Sequence, residues 1–100
     1  MPEFSNIFSV KQSDRKLTED EVVRAIRLSI AAEYEAIQLY QQLAESIDDE
    51  LAKNVLLDIA EEEVVHAGEF LRVLKHLRPK EFDRYDEGGK EVEEMIEKKK

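Results

Sequence analysis

Apolar residues recur at alternating steps of three and four along two stretches of the chain, the spacing that lines one face of an α-helix. In the first stretch the series is Val23, Ile26, Ile30, Glu33, Ile37, Tyr40, Ala44 and Ile47. In the second it is Ala52, Leu56, Ile59, Glu63, His66, Phe70, Val73 and Leu77. The punctuation agrees with two helices. Thr18-Glu19-Asp20-Glu21 has the capping-box pattern, Thr18 serving as N-cap and Glu21 standing three residues on. Its acidic first turn suits the helix dipole. No Gly or Pro then intervenes before Ile47. Asp48-Asp49 supplies a turn and a new N-cap. Pro79 disfavours helical geometry at Arg78, so the second helix is expected over about 50–77, with Gly68 its one weak point.

The pattern weakens outside this hairpin. Residues 1–17 mix Phe4, Ile7, Phe8 and Val10 with Ser, Asn and Lys, and read as an irregular arm. After Pro79, residues 80–87 predict a helical turn or two. Gly88-Gly89 separates them from a short amphipathic run with Val92, Met95 and Ile96. The expected organisation is all-α: an arm over 1–17, an antiparallel two-helix hairpin over 18–78, and a short C-terminal helix or tail over 79–100.

Each helix carries a second apolar stripe beside the first. On one it is Val22, Ala25, Ala32, Ala36, Leu39 and Leu43; on the other Leu57, Ala60, Val64, Ala67, Leu71 and Leu74. Two helices cannot cover faces this wide, and one hundred residues build only a modest core. The chain is expected to dimerise into a four-helix bundle and to assemble further.

Both seams turn polar in the middle. The exceptions are Glu33 and Tyr40 on one, Glu63 and His66 on the other. Folding the chain at Asp48 puts Glu33 and Glu63 equally far from the turn, at roughly 22 Å given the rise of an α-helix. His66 follows Glu63 by one turn on the same face. Two carboxylates pressed together in an apolar contact are costly and repel each other. No Lys or Arg stands in either seam to offset them. A bound cation is the simplest compensation, and carboxylate with imidazole suits iron, manganese or zinc. A four-helix di-iron site takes one Glu from each of two helices and a Glu-x-x-His from each of the other two. One chain offers half of that set, Glu33 with Glu63 and His66, and a two-fold axis would supply the rest. The competing reading is a polar cluster that fixes dimer register without metal. Tyr40 fits either a core tyrosine with its hydroxyl hydrogen-bonded or a neighbour of the metal. Glu35, Glu62 and Glu69 lie off the seam and read as solvated charges, Glu35 and Glu62 being also candidates for a metal-access path. His76 suits the C-terminal end of its helix.

Composition narrows the chemistry. The absence of cysteine excludes disulfides, thiolate zinc sites, Fe–S clusters and a rubredoxin-type iron site. A net charge of −9 argues against nucleic acid and favours the steering of cations. No stretch is apolar enough to span a membrane, and residues 1–16 have no signal-peptide core, so a cytoplasmic origin is expected.

The run Ala32-Glu33-Tyr34-Glu35-Ala36-Ile37-Gln38-Leu39-Tyr40, followed by Glu61-Glu62-Glu63-Val64-Val65-His66, resembles the encapsulated ferritins, short ferritin-like proteins held inside encapsulin nanocompartments. The resemblance covers roughly residues 18–77. It implies a two-helix protomer with a short C-terminal helix, a di-iron ferroxidase centre on the dimer axis, and a decameric ring of five dimers inside an encapsulin shell. Carried over residue by residue, it makes Glu33, Glu63 and His66 iron ligands, Tyr40 a site neighbour, and Glu35 an acidic residue linked to metal access. Some members carry Glu directly before the ligand Glu, where this chain has Ala32. Members often end in a shell-targeting peptide or are fused to the shell protein. No such peptide is recognisable here, so a shortened chain or the front part of a fusion is expected.

The expected activity is therefore that of a ferroxidase, with Fe(II) oxidised to Fe(III) for storage in the compartment. A rubrerythrin-like di-iron peroxidase is the enzymatic alternative, although without cysteine it lacks the usual built-in electron donor. A non-catalytic assembly module whose metal only glues the dimer is the alternative of another class.

Overall fold

The computed structural model describes residues 15–99, and the expected arm over 1–17 lies mostly outside them. Three helices follow in order: α1 over Glu19–Glu45, α2 over Glu50–Leu77 and α3 over Pro79–Lys99. The architecture is all-helical, an antiparallel hairpin of α1 and α2 with α3 leaving its end.

Local chemistry sets the boundaries. The Glu21 amide donates to Thr18 Oγ1 at 3.2 Å and the Thr18 amide to Glu21 Oε1 at 2.9 Å, completing the capping box. Arg15 clasps the same carboxylate with both guanidinium nitrogens at 2.7 Å. These contacts, the Arg15 guanidinium foremost, draw the Glu21 carboxyl down to about 2. α1 closes at Ser46, whose amide donates to the Leu43 carbonyl. Asp49 opens α2 by accepting the Ala52 amide at 2.8 Å. Lys75 and His76 fall in the last turn of α2, where positive charge complements the dipole.

The main core sits at the end of the hairpin where α1 begins and α2 finishes. Val23, Ile30 and Leu74 are buried there, with Ile26, Phe70, Leu71, Leu77 and Phe82 packed around them. Leu74 is the most enclosed large side chain, and Leu74→Ala is the single change expected to hurt this core most, by about 2–5 kcal/mol. Further along, the two helices meet through buried Ala44, Ala60 and Ala67, whose small size lets them approach closely.

Two expectations need correction. On α2 the buried residues are Ala60, Ala67 and Leu74, all from the stripe set beside the predicted seam, while Val73 and His66 of that seam are exposed. Period alone cannot choose between adjacent apolar stripes; Ala60 and Ala67 go inward where two helices pack closest, and Leu74 where the core cluster surrounds it. The C-terminal segment is also not divided at Gly88-Gly89. α3 is one helix of 21 residues, with no glycine at positive φ and open space where either Cβ would stand. Pro79 at its start is well placed, since the first turn has no use for the missing N–H.

The hairpin leaves much apolar surface uncovered, including Leu39, Leu43, Val55, Leu57 and Val64. The radius of gyration is 17.6 Å, well above the roughly 13 Å of a compact domain this long. Both features suit a chain that completes its packing with another. No helix among the described residues is long and apolar enough to cross a membrane.

Candidate metal centre

Midway along the hairpin, where the core gives way to the alanine contact, α1 presents Glu33 and α2 presents Glu63 and His66. One ligand atom from each lies within 4.8 Å of the others, a spacing that one cation can bridge. It is the only such group of His, Asp or Glu among the described residues. His66 Nδ1 stands 3.6 Å from Glu63 Oε1 and 3.8 Å from Glu33 Oε2. Both distances are ion-pair separations too long for hydrogen bonds.

The decisive atom is Glu33 Oε2. It is buried and has no hydrogen-bond partner. Among the described residues the ion pairs made by Glu33 and Glu63 are with His66 alone, so no Lys or Arg there answers either carboxylate. Both carboxylate side chains are 18% exposed, while the imidazole is 47% exposed. An unpaired buried carboxylate oxygen is among the most expensive features a fold can retain. A divalent cation between the three side chains would satisfy it, and two carboxylates with one imidazole form a donor set suited to a first-row transition metal. Three donors on the edge of an open hairpin leave such an ion incompletely surrounded. The donor set therefore fits iron as half of a bundle-type site.

The other residues singled out in the sequence stand apart from this cluster. Tyr40, two turns beyond Glu33 on α1, is partly buried and lines a shallow groove of about 500 Å³ with Ala32, Glu35, Ala36, Leu39 and Gln42. Glu35 thus lines the same groove as Tyr40, whereas Glu62 is exposed on α2; neither belongs to the cluster. What sequence reasoning missed lies elsewhere. Glu81 of α3 accepts Arg27 of α1, a contact across fifty-four positions that no local pattern announces.

Comparison with known proteins bears on this geometry. The family model described as Rubrerythrin matches residues 25–99, which include all three side chains. The solved encapsulated ferritin domain of Pyrococcus furiosus superposes with a TM-score of 0.77 at 40% identity, covering 80% of this chain and 82% of that one. This chain belongs to the rubrerythrin family, as an encapsulated ferritin. Among curated relatives of this encapsulated ferritin, the ferritin-like–encapsulin shell fusion protein of Pyrococcus furiosus is 40% identical over 82 residues, 82% of this chain and 24% of that protein. The encapsulin nanocompartment cargo protein EncC of Myxococcus xanthus is 40% identical over 67 residues, 67% of this chain and 52% of that protein. The chain thus spans about a quarter of one relative and about half of the other.

Proposed function

We propose that this encapsulated ferritin is a ferroxidase whose di-iron site is completed by pairing two copies of the chain. The observation that supports this reading best is the buried, unpartnered Glu33 Oε2, lying with Glu63 and His66 in a group that one cation can bridge. Fe(II) is the substrate. Glu33 and His66 act as terminal ligands, each to one ion, and Glu63 bridges two ions across the two-fold axis. Anionic carboxylates favour the ferric over the ferrous charge state, which lowers the cost of removing an electron. Two Fe(II) give one electron each; dioxygen with two protons takes both and leaves as hydrogen peroxide, or peroxide with two protons takes them and leaves as two waters. Tyr40 is a neighbour of the paired site, and the Glu35 face, with Glu62 on α2, is the route by which iron reaches it.

The apolar surface left open by the hairpin supports the homodimer, which assembles further into a decameric ring. A protomer of this size cannot enclose a mineral, so Fe(III) passes to storage elsewhere. Relatives named as encapsulin cargo and as a shell fusion support the interior of an encapsulin nanocompartment, in the cytoplasm, as the place of storage.

Stopped-flow mixing of Fe(II) with the aerobic protein tests the reading. Iron-dependent absorbance should develop within seconds and be lost in Glu63→Ala. Absence of that signal at excess iron, or full activity in the variant, refutes the proposal. The Rubrerythrin family match gives peroxidase chemistry a hearing, but the chain has no cysteine to hold an electron-donating iron centre. Sustained peroxide turnover with a partner reductase would favour that reading.

A further inference from the structure

The joint between α2 and α3 is the single residue Arg78, with φ −139° and ψ 68°, followed at once by Pro79. Proline fixes its own φ and narrows ψ of the residue before it more than φ, so the rotation left at this joint is mainly about Arg78 φ. A helix of 21 residues swings on it as a lever about 30 Å long, and a turn of about 20° would move its far end by about 10 Å.

Two sets of charged contacts tie the joint and the lever to α1. Arg78 reaches back across the hairpin end, Nη1 donating to Glu19 Oε1 and Nη2 to Asp20 Oδ1, both at 2.6 Å. Two turns further along α1, Arg27 donates from Nε at 3.3 Å and from Nη2 at 2.5 Å to the two oxygens of Glu81. Glu81 stands in the first turn of α3 and also accepts the Tyr85 hydroxyl, while the Tyr85 ring meets Phe82 edge-on with centroids 4.8 Å apart. The backbones of α1 and α3 do not approach within 8 Å among the described residues, so these long side chains span the gap.

Phe82 anchors α3 in the core four residues from the pivot, but apolar contact is non-directional. The forked guanidinium–carboxylate contact has a fixed geometry and acts on the moving helix itself. We propose that Arg27–Glu81, together with Arg78–Glu19/Asp20, is an electrostatic latch that holds α3 at one angle to the hairpin. Opening it lets α3 swing about Arg78 while the hairpin stays folded. The latch aims the exposed stripe of Val92, Met95 and Ile96, and it is independent of the metal centre. Its partners are partly exposed, Arg27 at 46% and Glu81 at 20%, so salt reaches them. The angle of α3 thereby becomes sensitive to ionic strength.

The chain has no cysteine, so two labels can be placed uniquely, for instance by Asn54→Cys on α2 and Glu94→Cys on α3. Spin-label distances, measured with labelled chain diluted in unlabelled chain, should show one narrow distribution at low salt. It should broaden or shift by up to about 8 Å, the displacement of a label about fifteen residues along a helix turned by about 20°, in Arg27→Gln/Arg78→Gln and in about 1 M NaCl. The swap Arg27→Glu/Glu81→Arg should restore the narrow distribution. Circular dichroism establishes that helicity is retained; if the double variant unfolds, the salt titration of the unsubstituted pair decides. Distributions equally narrow at low and high salt would assign the angle to Phe82 packing and overturn the proposal.

Discussion

Replacing Glu33 by methionine should stabilise the metal-free protein and remove its stabilisation by metal. The substitution keeps the length and flexibility of the side chain and deletes a carboxylate whose Oε2 is buried without a hydrogen bond. Leaving a buried polar group unsatisfied costs about 1–3 kcal/mol, and more for a charge. His66 at 3.8 Å offsets part of this, so about 1–2 kcal/mol is expected as the gain from removal, within the range found when buried ionic groups give way to apolar ones. For a domain of this size that raises the melting midpoint by roughly 4–8 °C per kcal/mol. With a divalent metal present the order reverses. At one hundred times its dissociation constant the metal should stabilise the unsubstituted protein by about 2.7 kcal/mol and the variant by little. Thermal unfolding at one fixed protein concentration, with chelator and then with Mn(II) or anaerobic Fe(II), supplies all four values; the concentration must be held because pairing of chains enters the midpoint. A variant less stable than its parent in chelator would refute the reasoning, since the carboxylate would then be well satisfied without metal. Equal stabilisation of both proteins by metal would refute it as well.

Other parts of the structure give further expectations. Thr18→Ala deletes one half of the capping box and should lower stability by about 1 kcal/mol, read by urea unfolding; no change would mean that α1 begins elsewhere. The Glu21 carboxyl is depressed to about 2 from 4.5, so its contribution is intact above the ordinary carboxyl value and is lost as pH falls from about 4.5 through about 2. Carboxyl NMR titration should locate that midpoint, and Arg15→Gln should raise it toward the ordinary value. Gly88→Ala and Gly89→Ala place a Cβ in open space on ordinary helical backbone, so each should stabilise α3 by up to about 1 kcal/mol. Loss of assembly in either variant, measured by light scattering, would show instead that the glycines make room for another chain.

Much of this arrangement is legible along the chain because it is periodic or local. The α1 seam is inferred correctly, with Val23, Ile30 and Ala44 buried, since one helix face repeats at fixed steps. The caps at Thr18 and Asp49 follow from side chains that bond to backbone three residues away. The meeting of Glu33 with Glu63 and His66 follows from counting equal distances from one turn, and the helices keep that register. The inward face of α2 is not readable in this way. Both of its stripes are apolar, and the choice of Ala60, Ala67 and Leu74 depends on how closely two helices can pack, a property of the pair. Gly88-Gly89 misleads for a related reason. A local penalty of about 1 kcal/mol per glycine marks a weak place without obliging the helix to end there. The Arg27–Glu81 and Arg78–Glu19/Asp20 contacts join residues more than fifty positions apart, and nothing periodic points to them.

The central claim is that one chain holds half of a di-iron site. An anomalous difference map at the iron edge, from crystals soaked in Fe(II), tests it most directly. Two iron peaks should lie on either side of a two-fold axis, each bounded by Glu33, Glu63 and His66 side chains drawn from two copies. Iron bound wholly within a single protomer, or at a site that excludes Glu33, would contradict the account.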